Sequence, residues 1–509
     1  MKKMLEIFLG ILTAFGGFVD IGDLVANSET GARFGMRLAW VVIVGVIGIV
    51  VFAEMAGRVA TMSKRPVFDV VRERLGARWA FVNLGASFFI NLLTVAAEIG
   101  GLALVIELVT GLNYLLWVPL VGIAVWIVLW KLRFSLMEKV FGLSGLTLIV
   151  TIFALWRLDP GLHRTVQTVG FGPPASEGWA VYAFFAIALL GAAMTPYEVF
   201  FFSSGAVEEH WTPKDLLVNR MNVYLGFPLG GVLSLAIMGA AAVVFEPRGV
   251  SLSHLSQVTL PVSLAFGKIG LVLLLYGMFA AIFSAALETA LSAGYTMSQF
   301  FGWQWGTFVK PREAARFHLV VLASIVVGIL IALTTIDPIL ITEYSIVLAA
   351  AALPLTYLPI LIVANDPMYM KDKVNSRPLN AIAFVFFVLL VIVSIATIPL
   401  MIITKAGHEA RGPDRLAYRR RRRSRHRSGG RRVAHPERAA DRRVRRGPDR
   451  RCARHRPLWS GLAGRLRARG CTRSCADRLV PATTDRASPG RPLERRGRAR
   501  GGPHPAAAP

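Results

Sequence analysis

Apolar stretches of about 20 residues, the length that a helix needs to cross the hydrocarbon core of a bilayer, recur along most of this chain. Eleven such stretches are predicted, at residues 5–27, 36–56, 80–109, 113–131, 138–156, 178–206, 221–245, 268–300, 315–335, 338–364 and 378–404. Hydrophobic residues make up 54% of the 509 residues, which agrees with this pattern. The sequence therefore predicts an all-α polytopic membrane protein.

The lysines and arginines of the predicted loops are distributed unevenly between the two sides of the membrane. One side includes a strongly basic segment between residues 58 and 78, whereas the other holds only Arg33, Arg37, Arg157, Arg164, Arg248 and Lys268. Cytoplasmic loops carry the excess of positive charge, so we expect a cytoplasmic amino terminus. The first stretch lacks a small-residue cleavage site and is expected to be retained. We expect the protein to reside in a bacterial inner membrane.

A carboxy-terminal tail, residues 406–509, differs in composition from the core, residues 1–405. From residue 411 onward the tail contains 31 arginines and no lysine, and from residue 406 it contains 8 acidic residues. It therefore accounts for +23 of the net charge of +26, and the core is nearly neutral. We expect the function to reside in the core.

Three interpretations of this tail are open. It could be a disordered basic arm that binds the phosphates of RNA or lipid, or a zinc module built on Cys452, Cys471 and Cys475, although these lack paired CxxC spacing. It could also come from a shifted reading frame of a GC-rich gene. We favour the third interpretation, because so many arginines outside the membrane oppose the charge distribution of the core. Sequencing the gene across codons 400–420 tests it.

Two aspartates, Asp20 and Asp23, lie inside the first predicted span, in the stretch GGFVDIGDLVAN. A charge in hydrocarbon costs at least about 2.5–3.5 kcal/mol, so these carboxylates are expected to face protein, water or an ion. Gly16, Gly17 and Gly22 tolerate non-helical backbone, which predicts an unwound segment within the span. The alternative is that the span ends at residue 19 and that Asp23 caps a new helix.

A second interruption is predicted in the sixth span, in LLGAAMTPYEVFFFSSG. Pro196 has no N–H donor and clashes with the preceding turn, which frees carbonyl groups near Ala192 and Ala193. Interrupted helices at corresponding positions of consecutive five-helix units indicate an inverted-repeat transporter with its ligand near the membrane midplane.

The polar groups at the two breaks indicate the ligand class. Carboxylates, a hydroxyl group and freed carbonyls suit a hard divalent cation such as Mg²⁺, Ca²⁺ or Mn²⁺. An amino-acid substrate is disfavoured, because two acidic side chains would repel its carboxylate. The core contains no phosphate-binding loop, nucleophile elbow or metal-hydrolase motif, so we do not expect an enzyme.

Over roughly residues 8–404 the core resembles the Nramp divalent-metal transporters. The family's first-span motif Asp-Pro-Gly-Asn appears as Asp20-Ile21-Gly22-Asp23, and GARFG and AGRVATMSKRPVFDVVRERLG follow it. The sixth-span motif Met-Pro-His-Asn appears as Thr195-Pro196-Tyr197-Glu198, the third span contains Ala97-Glu98-Ile99-Gly100, and the tenth contains LPLTYLPIL. The resemblance implies a LeuT-type fold of two inverted five-helix repeats plus an eleventh helix, with helices 1 and 6 broken.

Departures from the family motifs imply a different ion. Thr195 stands where the family has a methionine, whose soft thioether favours Mn²⁺ and Fe²⁺, and Asp23 stands in place of an asparagine. In the alignment Ala352 and Glu288 occupy positions at which the family has glutamines. Loss of the sulfur and gain of carboxylates imply Mg²⁺.

Two further departures concern protons. Tyr197 stands in place of the family's histidine, and Val95 in place of a third-span aspartate associated with the proton route. The loss of both titratable groups implies transport without proton coupling. This pattern is similar to that of the Nramp-related magnesium transporters.

The resemblance also implies residue roles. The metal ligands would be Asp20, Asp23, the carbonyl of Ala192, the hydroxyl of Thr195, and Glu198. Residues that line the vestibule or hold the ion's outer water molecules would be Glu98, Tyr197 and Glu288. The alternatives are a helix cap for either aspartate, a bond from Thr195 back to a helix carbonyl, and buried, satisfied acids elsewhere.

The sequence therefore predicts Mg²⁺ uptake by alternating access without proton coupling and without a cofactor. The first alternative is a proton-coupled Mn²⁺/Fe²⁺ importer of the ordinary Nramp type. An alternative of another class is a membrane anchor that displays a basic tail to nucleic acid. The expected partners are a divalent metal ion and the lipid bilayer, with no nucleic acid, and a monomer is expected to suffice.

Overall fold

The computed structural model describes residues 8, 10–11, 14–15, 18–131, 134–175 and 177–407. Residues 408–509, with Cys452, Cys471 and Cys475, lie outside the described residues. The interpretations of the tail and the domain boundary at residue 405 therefore stay predictions. None of the described residues lies in a β-strand.

The helices of the described residues follow one another with short connections. In chain order the α-helices are α1 (Ile21–Phe34), α2 (Ala39–Ser63), α3 (Val67–Leu75), α4 (Ala77–Thr110), α5 (Tyr114–Lys131), α6 (Phe134–Gly145), α7 (Val150–Leu158), α8 (His163–Gln167), α9 (Trp179–Ala193), α10 (Pro196–Glu208), α11 (Leu216–Met221), α12 (Phe227–Phe245), α13 (Leu255–Phe301), α14 (Ala315–Ala332), α15 (Pro338–Ala364), α16 (Pro367–Met370) and α17 (Arg377–Ile403). Short 3₁₀ helices lie at Leu146–Ile149, Pro160–Leu162, Pro213–Asp215, Glu246–Arg248 and Lys371–Lys373, and a π-helix lies at Asn222–Gly226.

Ten helical stretches among the described residues are long and apolar enough to cross a membrane. They correspond to the second through eleventh predicted spans. The first predicted span is interrupted, because Val19 and Asp20 are not helical and α1 begins at Ile21. The sixth is interrupted in the same way between α9 and α10, at Met194 and Thr195. Both predicted breaks are therefore present.

Several predicted boundaries are wrong, among them the end of the second span, which was expected at residue 56 although α2 continues to Ser63. The first span was expected to end at residue 27, but α1 continues to Phe34, and all of its residues are buried. Protein therefore covers its polar side chains, which hydropathy alone does not reveal. The eighth span was expected to begin at residue 268, but α13 begins at Leu255 and bends at Gly267, where φ is 60°. A further helical segment thus precedes the apolar part of this helix.

Close backbone contacts hold the broken helices against their neighbours. A Cβ atom at Gly31 of α1 would lie 2.1 Å from the carbonyl oxygen of Met238 in α12. A Cβ atom at Gly191 of α9 would lie 2.1 Å from the carbonyl oxygen of Ile346 in α15. Small residues allow helices to approach this closely in membranes. The long helix α4 packs against α13, α14 and α15, and it forms one wall of the region where the two breaks meet.

Candidate functional site: a cavity between two broken helices

Asp20 lies at the amino end of α1 and caps that helix. Its backbone is extended, and its Oδ1 accepts a hydrogen bond of 2.7 Å from the backbone N–H of Asp23. The free N–H groups and the dipole at a helix amino terminus favour a negative charge there. The alternative of a helix cap is therefore confirmed for Asp20 and wrong for Asp23, because Asp20 occupies the N-cap position of α1.

The second oxygen of Asp20 connects the two breaks. Its Oδ2 accepts a hydrogen bond of 3.2 Å from the hydroxyl of Tyr197, in the first turn of α10. Both side chains are buried, and Asp20 is only 2% exposed. Two residues that are 177 positions apart in sequence thus form one site.

Asp23 is directed toward α12. Its Oδ2 accepts a hydrogen bond of 2.6 Å from the hydroxyl of Ser234, and its Oδ1 accepts one of 2.8 Å from the side-chain amide of Asn27. The carboxylate is buried, but it is not among the groups that line the cavity described below. The structure therefore places the two aspartates, predicted together as ligands, in different surroundings.

The break between α9 and α10 leaves a carbonyl group without its usual helical partner. The residue four positions after Ala192 is Pro196, which has no N–H to donate, whereas the N–H of Met194 bonds to the carbonyl of Leu190 at 3.0 Å. Thr195 occupies the N-cap position of α10 in an extended conformation. Its hydroxyl donates to Oε2 of Glu198 at 3.3 Å rather than to a carbonyl of its own helix.

A small cavity lies between the breaks. It has a volume of about 10 Å³, which is room for about one water molecule. Four predicted site residues line it, namely Asp20, Glu98, Thr195 and Tyr197. Of the other predicted residues, Asp23, Ala192, Glu198 and Glu288 do not line it.

Three hydroxyl-bearing residues in the cavity wall were missed by the sequence reasoning: Thr94 of α4, and Thr342 and Ser345 of α15. The hydroxyls of Thr94 and Ser345 are 2.8 Å apart and hydrogen bonded. Thr94 precedes Glu98 by one helical turn, so the 3.6-residue period could have identified it. Nothing local marks Thr342 or Ser345, and the expected tenth-span position, Ala352, packs against Ile90 instead.

Buried carboxylates surround the cavity. Among the described residues, Oε1 of Glu198 has no hydrogen-bond partner, and the carboxylate of Glu98 interacts with the backbone N–H of Ile21 at the start of α1. Glu288 accepts a hydrogen bond of 3.0 Å from Ser284. Glu98 is close enough to Asp20 and Glu288 for their charges to interact. Like charges buried together are unfavourable, so these carboxyl groups either take up protons or are compensated by a cation.

The polar side chains that line the cavity share one kind of donor atom. Every polar side chain that lines the cavity in the described part of the chain carries oxygen. The thioether of Met194 points elsewhere, since a Cβ atom at Gly48 of α2 would lie 2.6 Å from its sulfur. No group of three His, Cys, Asp or Glu side chains in the described ranges forms a ready-made metal cluster. An ion here would therefore need hydroxyl, carbonyl or water ligands besides Asp20.

Comparisons with known proteins identify the family and the fold of this chain. The divalent metal cation transporter MntH of Klebsiella pneumoniae is 24% identical over 387 residues, which are 74% of this chain and 89% of that protein. The crystal structure of the Eremococcus coleocola manganese transporter aligns with a TM-score of 0.58 at 16% identity, covering 82% of this chain and 91% of that one.

A second solved structure extends the fold comparison. Mhp1, a nucleobase-cation-symport-1 family transporter, aligns with a TM-score of 0.51 at 16% identity, covering 78% of this chain and 92% of its own. The predicted all-α LeuT-type fold, with broken helices 1 and 6, is confirmed. The family model described as natural resistance-associated macrophage protein-like, Nramp, matches residues 10–399. This chain therefore belongs to the Nramp family.

Proposed function

We propose that this protein transports divalent metal cations, and that it takes up Mg²⁺ by alternating access without coupled protons. The observation that carries the proposal is the oxygen-only lining of the cavity beside Asp20, together with the orientation of the Met194 thioether away from it. Mg²⁺ prefers hard oxygen ligands and retains several water molecules. Soft sulfur ligands, which favour later transition metals, do not line the cavity within the described residues.

The proposed ligand set centres on Asp20, which binds the ion directly or through water. The carbonyl of Ala192 and the hydroxyl of Thr195 supply further oxygens from the second break. Asp23 and Glu198 complete the set, and ion binding would compete with their present bonds to Ser234 and Thr195. Glu98, Glu288 and Tyr197 are proposed to line the vestibule or to hold the outer water molecules of the ion.

The cavity must widen to admit this ion. A volume of about 10 Å³ accommodates about one water molecule, whereas Mg²⁺ is octahedral and keeps part of its hydration shell. The described conformation is therefore assigned as an occluded state that separates an outward-open from an inward-open form.

The membrane potential is sufficient to drive uptake. An inside-negative potential favours the entry of each charge by about 2.3 kcal/mol per 100 mV, or about twice that for a divalent cation. Coupling to protons is not required energetically. Tyr197 occupies the position next to Asp20 at which the family resemblance places a titratable histidine, and this supports uncoupled transport.

The test is Mg²⁺ uptake into liposomes that contain the full chain, at a set membrane potential and with the internal pH followed simultaneously. We expect Mg²⁺ entry without acidification, and loss of most entry in Asp20→Asn, which keeps the volume but removes the charge. Leu84→Ala, a change on α4 away from the cavity lining, controls for a general effect of substitution. Uptake unchanged in Asp20→Asn would contradict the assigned site.

A second candidate is a proton-coupled Mn²⁺ importer. It is favoured by the names of the relatives above and by the fully buried carboxylate of Glu98, a group that could carry a proton. Mn²⁺ entry accompanied by acidification, without Mg²⁺ entry, would establish this candidate instead.

The setting of this activity is also part of the proposal. The transporter core comprises residues 1–405 and acts as a monomer in a bacterial inner membrane, with its amino terminus in the cytoplasm. Residues 406–509 come from a shifted reading frame, and the protein has no enzymatic activity. A nucleic-acid-binding anchor would instead require the tail for function and tolerate the loss of Asp20.

A further inference from the structure

A stripe of polar side chains runs along one face of α4 from the cavity toward the amino end of the helix. Its members, here called the α4 polar stripe, are Asn83, Ser87, Asn91, Thr94 and Glu98. Spacings of three, four and seven residues place them on one face of an α-helix. At 1.5 Å per residue, the stripe is about 22 Å long. All five side chains are buried.

The stripe faces the protein interior and not the lipid. On the opposite side of α4, Phe81 and Phe89 are 60% and 55% exposed. A helix face that contacts lipid is expected to be apolar. The face of α4 that carries Phe81 and Phe89 is apolar. The polar residues of α4 in this half are therefore arranged on the side where an internal passage would lie.

Several polar atoms of the stripe have no partner. Among the described residues, both side-chain atoms of Asn91 that can form hydrogen bonds are unpartnered, as is the amide nitrogen of Asn83. Asn91 is 0% exposed and Asn83 is 2% exposed. Polar groups that serve only to pack a protein interior are normally hydrogen bonded. Water molecules or an ion that reach these buried amides would supply the missing hydrogen bonds.

Helix α15 flanks the stripe with small residues. The face that carries Ser345 continues with Ala349, Ala352 and Thr356, again at spacings of three and four residues. The hydroxyl of Thr356 is also buried and unpartnered. Small side chains leave room for water once neighbouring groups move apart, whereas in the described conformation Ile90 packs against Ala349 and Ala352 at the base of the cavity.

We propose that the α4 polar stripe is the wall of a water-filled passage through which the cation leaves the Asp20 site for the cytoplasm. The stripe ends at Asn83, five residues after the basic segment of residues 58–78, whose charge predicts a cytoplasmic location. Carboxamide and hydroxyl oxygens along it replace part of the ion's water shell without the tight binding that carboxylates would give. The inference rests on the proposed transport function, and it names the exit route of that site.

Cysteine accessibility tests the passage directly. The chain's three cysteines are Cys452, Cys471 and Cys475, so replacing them with serine in the full chain gives a cysteine-free background. Asn83→Cys, Ser87→Cys and Asn91→Cys are then treated with a charged, membrane-impermeant methanethiosulfonate, from the cytoplasmic side in inside-out vesicles and from the other side in intact cells. Phe89→Cys on the lipid face and Leu84→Cys, buried but apolar, are the matched controls.

We expect the stripe cysteines to react from the cytoplasmic side at least about tenfold faster than both controls. Only the stripe cysteines would be exposed to water in a minor, inward-open state of the protein. We also expect the bulky adduct to block metal uptake. Equal rates at stripe and control positions would overturn the proposal, and so would reaction from the opposite side alone.

A second measurement distinguishes a role of the stripe in transport from a role in packing alone. Asn91→Leu has a similar volume and removes the unpartnered amide, so we expect a raised melting temperature of the closed protein together with slower uptake. A lowered melting temperature with unchanged uptake would indicate a purely structural residue. Labelling does not depend on the ion, so stripe labelling without Mg²⁺ uptake would leave the passage in place and reject only the proposed substrate.

Discussion

Thr195 lies at the second break and lines the cavity beside Asp20, and in the proposed mechanism its side chain sets the ion preference. Its hydroxyl donates to Glu198 at 3.3 Å, and Thr195 lines the cavity beside Asp20 whereas Glu198 does not. The side chain of the neighbouring Met194 lies against Gly48 of α2. One position in sequence therefore separates a hard donor that faces the cavity from a soft donor that does not.

At this scale we predict that Thr195→Met shifts selectivity from Mg²⁺ toward Mn²⁺. The new thioether is a softer donor and dehydrates Mg²⁺ poorly, so we expect Mg²⁺ uptake to fall by about tenfold or more, an effect of about 1.4 kcal/mol. Competition by Mn²⁺ should strengthen. Uptake with Mn²⁺ as competitor measures both effects, and Thr195→Val separates loss of the hydroxyl from gain of sulfur. Equal Mn²⁺ competition in the wild type and Thr195→Met would refute the prediction.

At the scale of elements, the broken helices depend on close contact with continuous ones. Helix α9 ends one residue before the break and meets α15 at Gly191, where no side chain separates the two backbones. The same α15 contributes Thr342 and Ser345 to the cavity. The position of the α9 carbonyl groups relative to the cavity therefore depends on a helix contact and not on the break alone.

We predict that Gly191→Ala destabilises the protein and impairs transport. The added methyl would lie 2.1 Å from the carbonyl oxygen of Ile346, a backbone atom that cannot rotate away. Overpacking of a tight core costs about 1–3 kcal/mol, and we expect the upper end of that range. Thermal unfolding in detergent measures the loss.

The matched control for this change is Gly85→Ala on α4. A Cβ atom at Gly85 meets no other atom within 4 Å, and alanine is the better helix former. We expect an unchanged or higher melting temperature for this variant. A Gly191→Ala protein as stable as Gly85→Ala would show that α9 and α15 can separate without cost.

At the scale of the whole molecule, ion-pair networks lie on both sides of the cavity. On one side Arg33 bonds to Glu177 at 3.3 Å and to the carbonyl oxygen of Gly407 at 3.0 Å, and its guanidinium lies 4.7 Å from the centre of the Phe185 ring. On the other side Arg58 pairs with Glu54 at 3.1 Å and bonds to Asn375. With both networks formed, Asp20 is isolated from solvent.

The buried pair on the Arg58 side should matter far more than a surface pair nearby. Glu54 and Arg58 are each 4% exposed, and removing one partner of a buried pair costs about 3–5 kcal/mol. We therefore expect Glu54→Gln to lower the melting temperature substantially. Arg74→Gln, which breaks the pair with Asp366, involves a side chain that is 54% exposed and should cost less than about 1 kcal/mol. Similar losses in the two variants would contradict this ranking.

Removal of the tail should leave transport intact. The chain should be cut after Gly407, because its carbonyl oxygen accepts a hydrogen bond from Arg33. We expect a protein of residues 1–407 to match the full chain in melting temperature and in metal uptake, because the family match ends at residue 399. Loss of uptake on this cut, with Asp20→Asn still active, would instead support the basic-tail anchor.

The sequence by itself determined the spans and the two breaks. Segment length and hydropathy are local properties, and the helical stretches from α2 to α17 agree with the predicted spans within the boundary changes described above. The interruption at Asp20 followed from two charges and flanking glycines, and the one at Thr195 from Pro196, which removes a donor wherever it sits in a helix. Each of these inferences needs only residues that are neighbours in the chain.

Only the tertiary structure decided which of the two aspartates, Asp20 or Asp23, lines the cavity. Asp20 and Asp23 are three residues apart and chemically identical, but one bonds to Tyr197, 177 positions away, and the other to Ser234, 211 positions away. The cavity wall likewise joins Thr94 to Ser345. Where a helix is broken, its regular period no longer sets the direction of a side chain, and partners from distant helices set it instead.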